Sequence, residues 1–106
     1  MAGLIELGRR AGAALVTVAP VVAQAWRGGA RQARLARLLP MVDVRGTGLR
    51  DARAAGELLG ASGTSDAVDA LIVLVAAPGD QLLTSDPADL HTLVTHRAIP
   101  VTIVRV

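Results

Sequence analysis

Residues 62–90 read SGTSDAVDALIVLVAAPGDQLLTSDPADL, and the fold turns on how that stretch divides. It carries one acidic hexapeptide twice, Thr64-Ser65-Asp66-Ala67-Val68-Asp69 and Thr84-Ser85-Asp86-Pro87-Ala88-Asp89. Each copy sets two aspartates three residues apart. Between them, every position from Ala70 to Ala77 is apolar, so residues 65–77 predict a helix buried on nearly all sides. Pro78-Gly79 ends it. Gln81 to Thr84 then predicts a strand, and residues 86–97 a second helix. Short apolar strands alternating with helices indicate an α/β fold with a parallel sheet and helices on its faces.

The same alternation extends outward in both directions. VTIVRV at 101–106 is a closing strand, and LRDARAAGELLG at 49–60 a helix with Leu49, Ala52, Gly56 and Leu59 on one stripe. GTG at 46–48 is a turn, and MVDVR at 41–45 a strand. RQARLARLL at 31–39 predicts a helix with Leu35, Leu38 and Leu39 on one side, closed by Pro40. LVTVA at 15–19 is a short strand. Pro20 then opens a helix that stops at Gly28-Gly29, because the proline's missing N–H is not needed in a first turn. Residues 3–12 read as the end of a surface helix stopped by Gly12. No linker divides the chain, so residues 1–106 are expected to form a single domain.

Composition narrows the chemistry. The chain is 52% hydrophobic yet has one Trp and neither Phe nor Tyr, so its core must be built from Leu, Val, Ile and Ala. The absence of cysteine excludes disulfides and thiolate metal sites, and it favours a cytoplasmic chain. Residues 1–50 hold eight arginines against Glu6 and Asp43, whereas residues 51–106 hold three arginines against seven acids. That asymmetry suits a phosphate-binding surface beside a cation-binding pocket, or else two solvated faces. The first 25 residues mimic a secretory leader, but Glu6 precedes the paired arginines, and Thr17 and Pro20 break the apolar run. Ala70 to Pro78 is far shorter than the roughly 20 residues that span a bilayer, and no membrane span is expected.

Two readings compete for the aspartates. Ser and Asp at a helix start accept hydrogen bonds from its first free N–H groups and complement its dipole. Capping suffices for either hexapeptide alone. Asp69, however, lies one turn inside a buried helix, where an ionised carboxylate is costly unless paired or bound to a cation. The second hexapeptide follows a strand directly, at the carboxyl edge where sites of open α/β sheets gather. If the two helix starts meet, Asp66, Asp69, Asp86 and Asp89 converge. An all-oxygen set suits Mg²⁺ or Mn²⁺, which would activate water against a phosphodiester.

Arg27, Arg31, Arg34 and Arg37 recur at helical spacing and form either an RNA-contacting stripe or a solvated face opposite Leu35 and Leu38. Trp26 reads as a core or interface anchor. His91 and His96 are five apart on one helix, which does not place them on one face as a metal pair. There is no phosphate-binding glycine loop, and no serine with the flanking glycines of a nucleophile elbow.

The segment 62–90 resembles the C-terminal half of PIN domains, and specifically the VapC-type toxins of bacterial toxin–antitoxin pairs. VTVAPVVAQAWRGGARQARLARLL at 16–39 is similar to that family's second strand and following helices. The resemblance covers about residues 10–106. It implies a PIN-like three-layer fold and a Mg²⁺-dependent endoribonuclease acting on RNA, held by a cognate antitoxin and able to form a homodimer. It carries over Asp69 and Asp86 as the metal-holding catalytic carboxylates, Asp66 and Asp89 as supporting ones, and Thr84 as the hydroxyl beside them. Two departures accompany it. The family opens with a central strand ending in a ligand aspartate, and this chain begins after that element. The family's acid on the next helix falls near Gln24, which is neutral. The expectation is an N-terminally incomplete PIN-like ribonuclease. The alternative is a catalytically impaired remnant that keeps only binding surfaces.

Overall fold

The structure is a computed structural model, and it describes residues 4–7, 14–26, 28–84 and 87–105. In chain order the elements are β1 (Leu4–Leu7), β2 (Ala14–Val18), α1 (Ala19–Ala25), α2 (Ala30–Leu38), β3 (Val42–Arg45), α3 (Leu49–Ser62), α4 (Ala67–Val75), β4 (Gln81–Thr84), α5 (Pro87–Arg97) and β5 (Thr102–Arg105). A single 3₁₀ turn, Leu39–Met41, joins α2 to β3. The α/β alternation read from the sequence holds from β2 onward.

The five strands form one sheet in the order β3-β2-β1-β4-β5. β2 pairs parallel with β3, and β4 pairs parallel with β5. β1 lies between β2 and β4, antiparallel to both. Four strands therefore share one direction and the central one opposes them, so the sheet is mixed where a parallel one was expected. Leu4–Leu7, expected as part of a surface helix, is a strand, and it occupies a central position where none was expected, running against its neighbours and ending in Leu7 rather than an acid. Four residues with Leu4, Ile5 and Leu7 around Glu6 fit either period. Without them, β2 and β4 would each present an unpaired ladder to the other. The expected stop at Gly12 lies outside the described residues.

On β4 alternation selects the buried side, with Leu82 and Thr84 buried and Gln81 exposed, whereas on β2 Val16, Thr17 and Val18 are all buried, so both faces of that strand are covered. Against them lies α4, whose Ala70, Leu71, Ile72 and Val73 are all buried, as its unbroken apolar run predicted. Helices α3, α4 and α5 pack on one another, and α5 adds Leu90 and Leu93 to the core. On α3 the expected stripe is displaced. Leu49, Ala52 and Gly56 are exposed, and the packed side runs through Ala55, Leu58 and Leu59. That set still follows i, i+3, i+4 spacing, rotated to meet α4. Leu38 is also exposed, so of the three expected leucines Leu35 on α2 and Leu39 in the 3₁₀ turn are the half-buried ones.

Two polar residues fasten the α4–β4 corner. The Asp80 carboxylate accepts from Ala77 N–H at 2.8 Å, and its backbone N–H donates to the Ala77 carbonyl at 3.1 Å. Gly79 N–H donates to Pro100 and Thr102 N–H to Asp80, which binds the turn to the approach of β5. At the end of α5, Arg97 Nη1 donates to the carbonyls of Val73 and Ala76, the latter at 2.6 Å. A guanidinium thus satisfies carbonyls left over at the C-terminus of α4 and meets the negative end of its dipole. Among the described residues, no single helix is long and apolar enough to cross a membrane.

Candidate functional site

Because β2, β3, β4 and β5 run the same way, their carboxyl ends share one edge of the sheet. Helices α1, α3 and α5 all start from that edge, following β2, β3 and β4 in turn. This is where an open α/β sheet collects functional residues.

The first hexapeptide divides its two acids between separate tasks. Asp66 is the N-cap of α4, and its Oδ1 accepts from the Asp69 backbone N–H at 3.1 Å. Capping is therefore the observed role of Asp66. Asp69 stands in the first turn and is only 6% exposed, the one acid on a helix that is otherwise apolar. Its side chain does not lack a partner, nor do those of Thr17 and Thr84. Among the described residues, no buried side-chain nitrogen or oxygen is left without a hydrogen bond.

The second hexapeptide is seen in part. Thr84 closes β4 and is buried, Pro87 opens α5, and Asp89 is exposed in that helix's first turn. Asp86 lies outside the described residues. Asp66, Asp69 and Asp89 do not by themselves gather into a metal-holding cluster: among the described residues, no three His, Asp or Glu side chains do so. The physical reason lies in where two of them are placed. Asp66 is turned onto its own helix, and Asp89 sits on the solvent side of α5. The fit of a metal to this donor set therefore rests on Asp69 together with Asp86.

The arginines do not share one helix. α2 begins at Ala30, so Arg31, Arg34 and Arg37 lie on it, whereas Arg27 precedes it and is outside the described residues. Arg34 and Arg37 are exposed, and Arg37 Nε donates back to the Ala33 carbonyl at 3.4 Å. Trp26, at the end of α1, is 43% exposed and so is not a core anchor. Gln24 is exposed on α1. His91 and His96 are both exposed, and His96 Nδ1 bonds with the Thr92 carbonyl at 3.0 Å.

One feature of the edge had no single signal in the sequence. A cleft of about 230 Å³ opens where β2 and β3 end, with Arg45, Thr47 and Asp51 on its polar side and Leu71, Leu74 and Val75 of α4 on the other. Asp51 sits there because its carboxylate accepts from Gly48 N–H at 3.1 Å at the start of α3. A glycine turn followed three residues later by an acid was the available hint. None of Asp66, Asp69 and Asp89 lines this cleft.

Comparison with known protein families, with curated proteins and with solved structures finds no match to this chain.

Proposed function

We propose that this chain is a PIN-like domain of VapC type that cuts RNA phosphodiester bonds with a divalent metal, Mg²⁺ or Mn²⁺. The observation that carries this reading is Asp69. Asp66 already caps α4, so capping does not explain a second carboxylate buried one turn further in. A carboxylate retained in such a place is commonly one that works on a cation or a reacting group. Asp69 and Asp86 would hold the ion, with Asp66 and Asp89 in support. When bound, the ion supplies a water nucleophile and offsets charge on the phosphate. The exposed Arg34 and Arg37 would contact phosphates and orient the strand. β1 does not add to this reading, since it runs against β2 and β4 and so ends at the opposite edge of the sheet.

A second reading has its own observation. Gln24 is exposed and neutral where the family places an acid, which favours a domain that keeps binding surfaces for an antitoxin and has lost cleavage. One experiment decides between them. The purified chain is incubated with structured RNA in Mg²⁺, in chelator, and beside Asp69→Asn. The nuclease reading expects cleavage in Mg²⁺ only, reduced at least about 100-fold by the substitution with the fold intact. Cleavage that survives both chelation and the substitution would sink the metal mechanism. A folded, metal-supplied chain that leaves RNA whole would instead favour the binding reading.

A further inference from the structure

The cleft at the carboxyl ends of β2 and β3 takes no part in the proposed metal site, and its place follows from the connections. β2 reaches β3 in one direction along the sheet through α1 and α2, and β3 reaches β4 in the other through α3 and α4. Right-handed crossovers in opposite directions put the two helix pairs on opposite faces. β2 is accordingly buried on both, Thr17 as well as Val16 and Val18. The chain thus leaves β2 and β3 toward opposite faces, and the gap between those exits is the crevice where open α/β sheets take ligands.

The lining keeps hydrogen-bonding groups in hand. Arg45 contacts Asp43 through Nε alone, which leaves both Nη groups without a protein partner among the described residues. Asp51 gives one carboxylate oxygen to Gly48 N–H and keeps the other. Gly46, which also lines the cleft, is required by neither backbone nor packing. Its φ lies outside the left-handed region, and a Cβ there would meet nothing within 4 Å. A glycine so placed leaves the backbone open to a close approach. Across the cleft, Leu71, Leu74 and Val75 form an apolar wall.

We propose that this cleft binds a guanine base, carried by a free nucleotide or by single-stranded RNA. Its volume of about 230 Å³ falls below the roughly 300–1,000 Å³ of sites for drug-sized ligands, which suits a single ring system. Charge narrows the choice. A bare phosphate or carboxylate would meet Asp51, and an amine would meet Arg45. A zwitterion would satisfy both, but it would give up the hydration of two charges for pairs on an exposed rim, where ion pairs contribute little. A neutral ring with acceptors on one edge and donors on the next avoids that cost and lays its face on the leucines. Guanine has this pattern: O6 and N7 are the acceptors an arginine takes, and N1–H and the 2-amino group are donors for a carboxylate. Adenine places a donor where guanine has O6, and pyrimidines lack N7. The site stands whether or not the chain cuts RNA.

The test is a titration of the isotope-labelled full chain with guanosine, inosine and adenosine monophosphates, which share one phosphate, read by NMR at the amides of Gly46, Thr47 and Leu71. Guanosine monophosphate is expected to shift these amides with a dissociation constant of about 1 mM or tighter. Inosine monophosphate, which lacks the 2-amino group, and adenosine monophosphate should bind about tenfold more weakly. Asp51→Asn keeps an oxygen for Gly48 N–H but turns an amide donor toward the donors of guanine, and it should lose about tenfold in affinity with the spectrum of a folded chain retained. A single-stranded RNA with one guanine, titrated alongside, separates the two sources. Binding tighter than the mononucleotide assigns a strand, weaker binding assigns a free nucleotide, and both uphold the base site. Unshifted amides well above that concentration would overturn the proposal. So would equal affinity for the three nucleotides, or a folded Asp51→Asn that binds as wild type does.

Discussion

Asp66 and Asp69 show how one short motif divides its labour. The first accepts a hydrogen bond from the backbone of the second, and the second is thereby held at the mouth of the most apolar helix in the protein. The far end of that helix is fixed by Arg97, whose guanidinium reaches two of its last carbonyls. Hydrogen bonds from a charged donor contribute about 1.5–3 kcal/mol, and removing the donor strands partly buried acceptors. Arg97→Ala should therefore lower unfolding stability by about 2 kcal/mol, read as a lower denaturant midpoint with an unchanged slope. An unchanged midpoint would show that solvent satisfies those carbonyls as well as the arginine does. Nothing in the sequence singled out Arg97, because its partners lie 24 and 21 residues away and belong to the backbone.

β1 is the element on which the sheet depends. It is paired on both sides, so a proline within it removes a ladder donor and cannot be absorbed at an edge. Ile5→Pro should cost about 2 kcal/mol or more, and thermal unfolding should show an early or broadened transition. If the transition does not move, Leu4–Leu7 is not the central strand. This is also where the sequence was least legible. β2, β3, β4 and β5 announced themselves by β-rich composition and by the turn residues that bound them, and α4 by its unbroken apolar run. Those signals are local. The identity of β1 is set by what β2 and β4 lack, a partner on their facing sides, and four residues carry too little periodicity to reveal that. Gly3 and Gly8, which bracket LIEL and weaken a helix there, were the one clue. On α3 the periodicity was right and its phase was wrong, since α4, rather than the helix itself, decides which stripe is covered. For the acidic pairs, spacing identified the helix starts correctly but could not tell the capping carboxylate from the buried one.

The whole molecule sets a basic N-terminal half against an acidic C-terminal half, joined through a sheet whose four like-directed strands open on one edge. The exposed Arg34 and Arg37 on α2 and the buried Asp69 on α4 come from opposite halves of the chain. The proposed reading requires that Asp69 and Asp86 hold a divalent ion. Electron paramagnetic resonance of Mn²⁺ titrated into the purified chain measures this without depending on the choice of RNA. The expected result is one saturable Mn²⁺ site per chain, abolished in Asp69→Asn and in Asp86→Asn while the helical dichroism of both variants is retained. A folded wild type whose Mn²⁺ stays free, or binding that persists in the double variant, would contradict it.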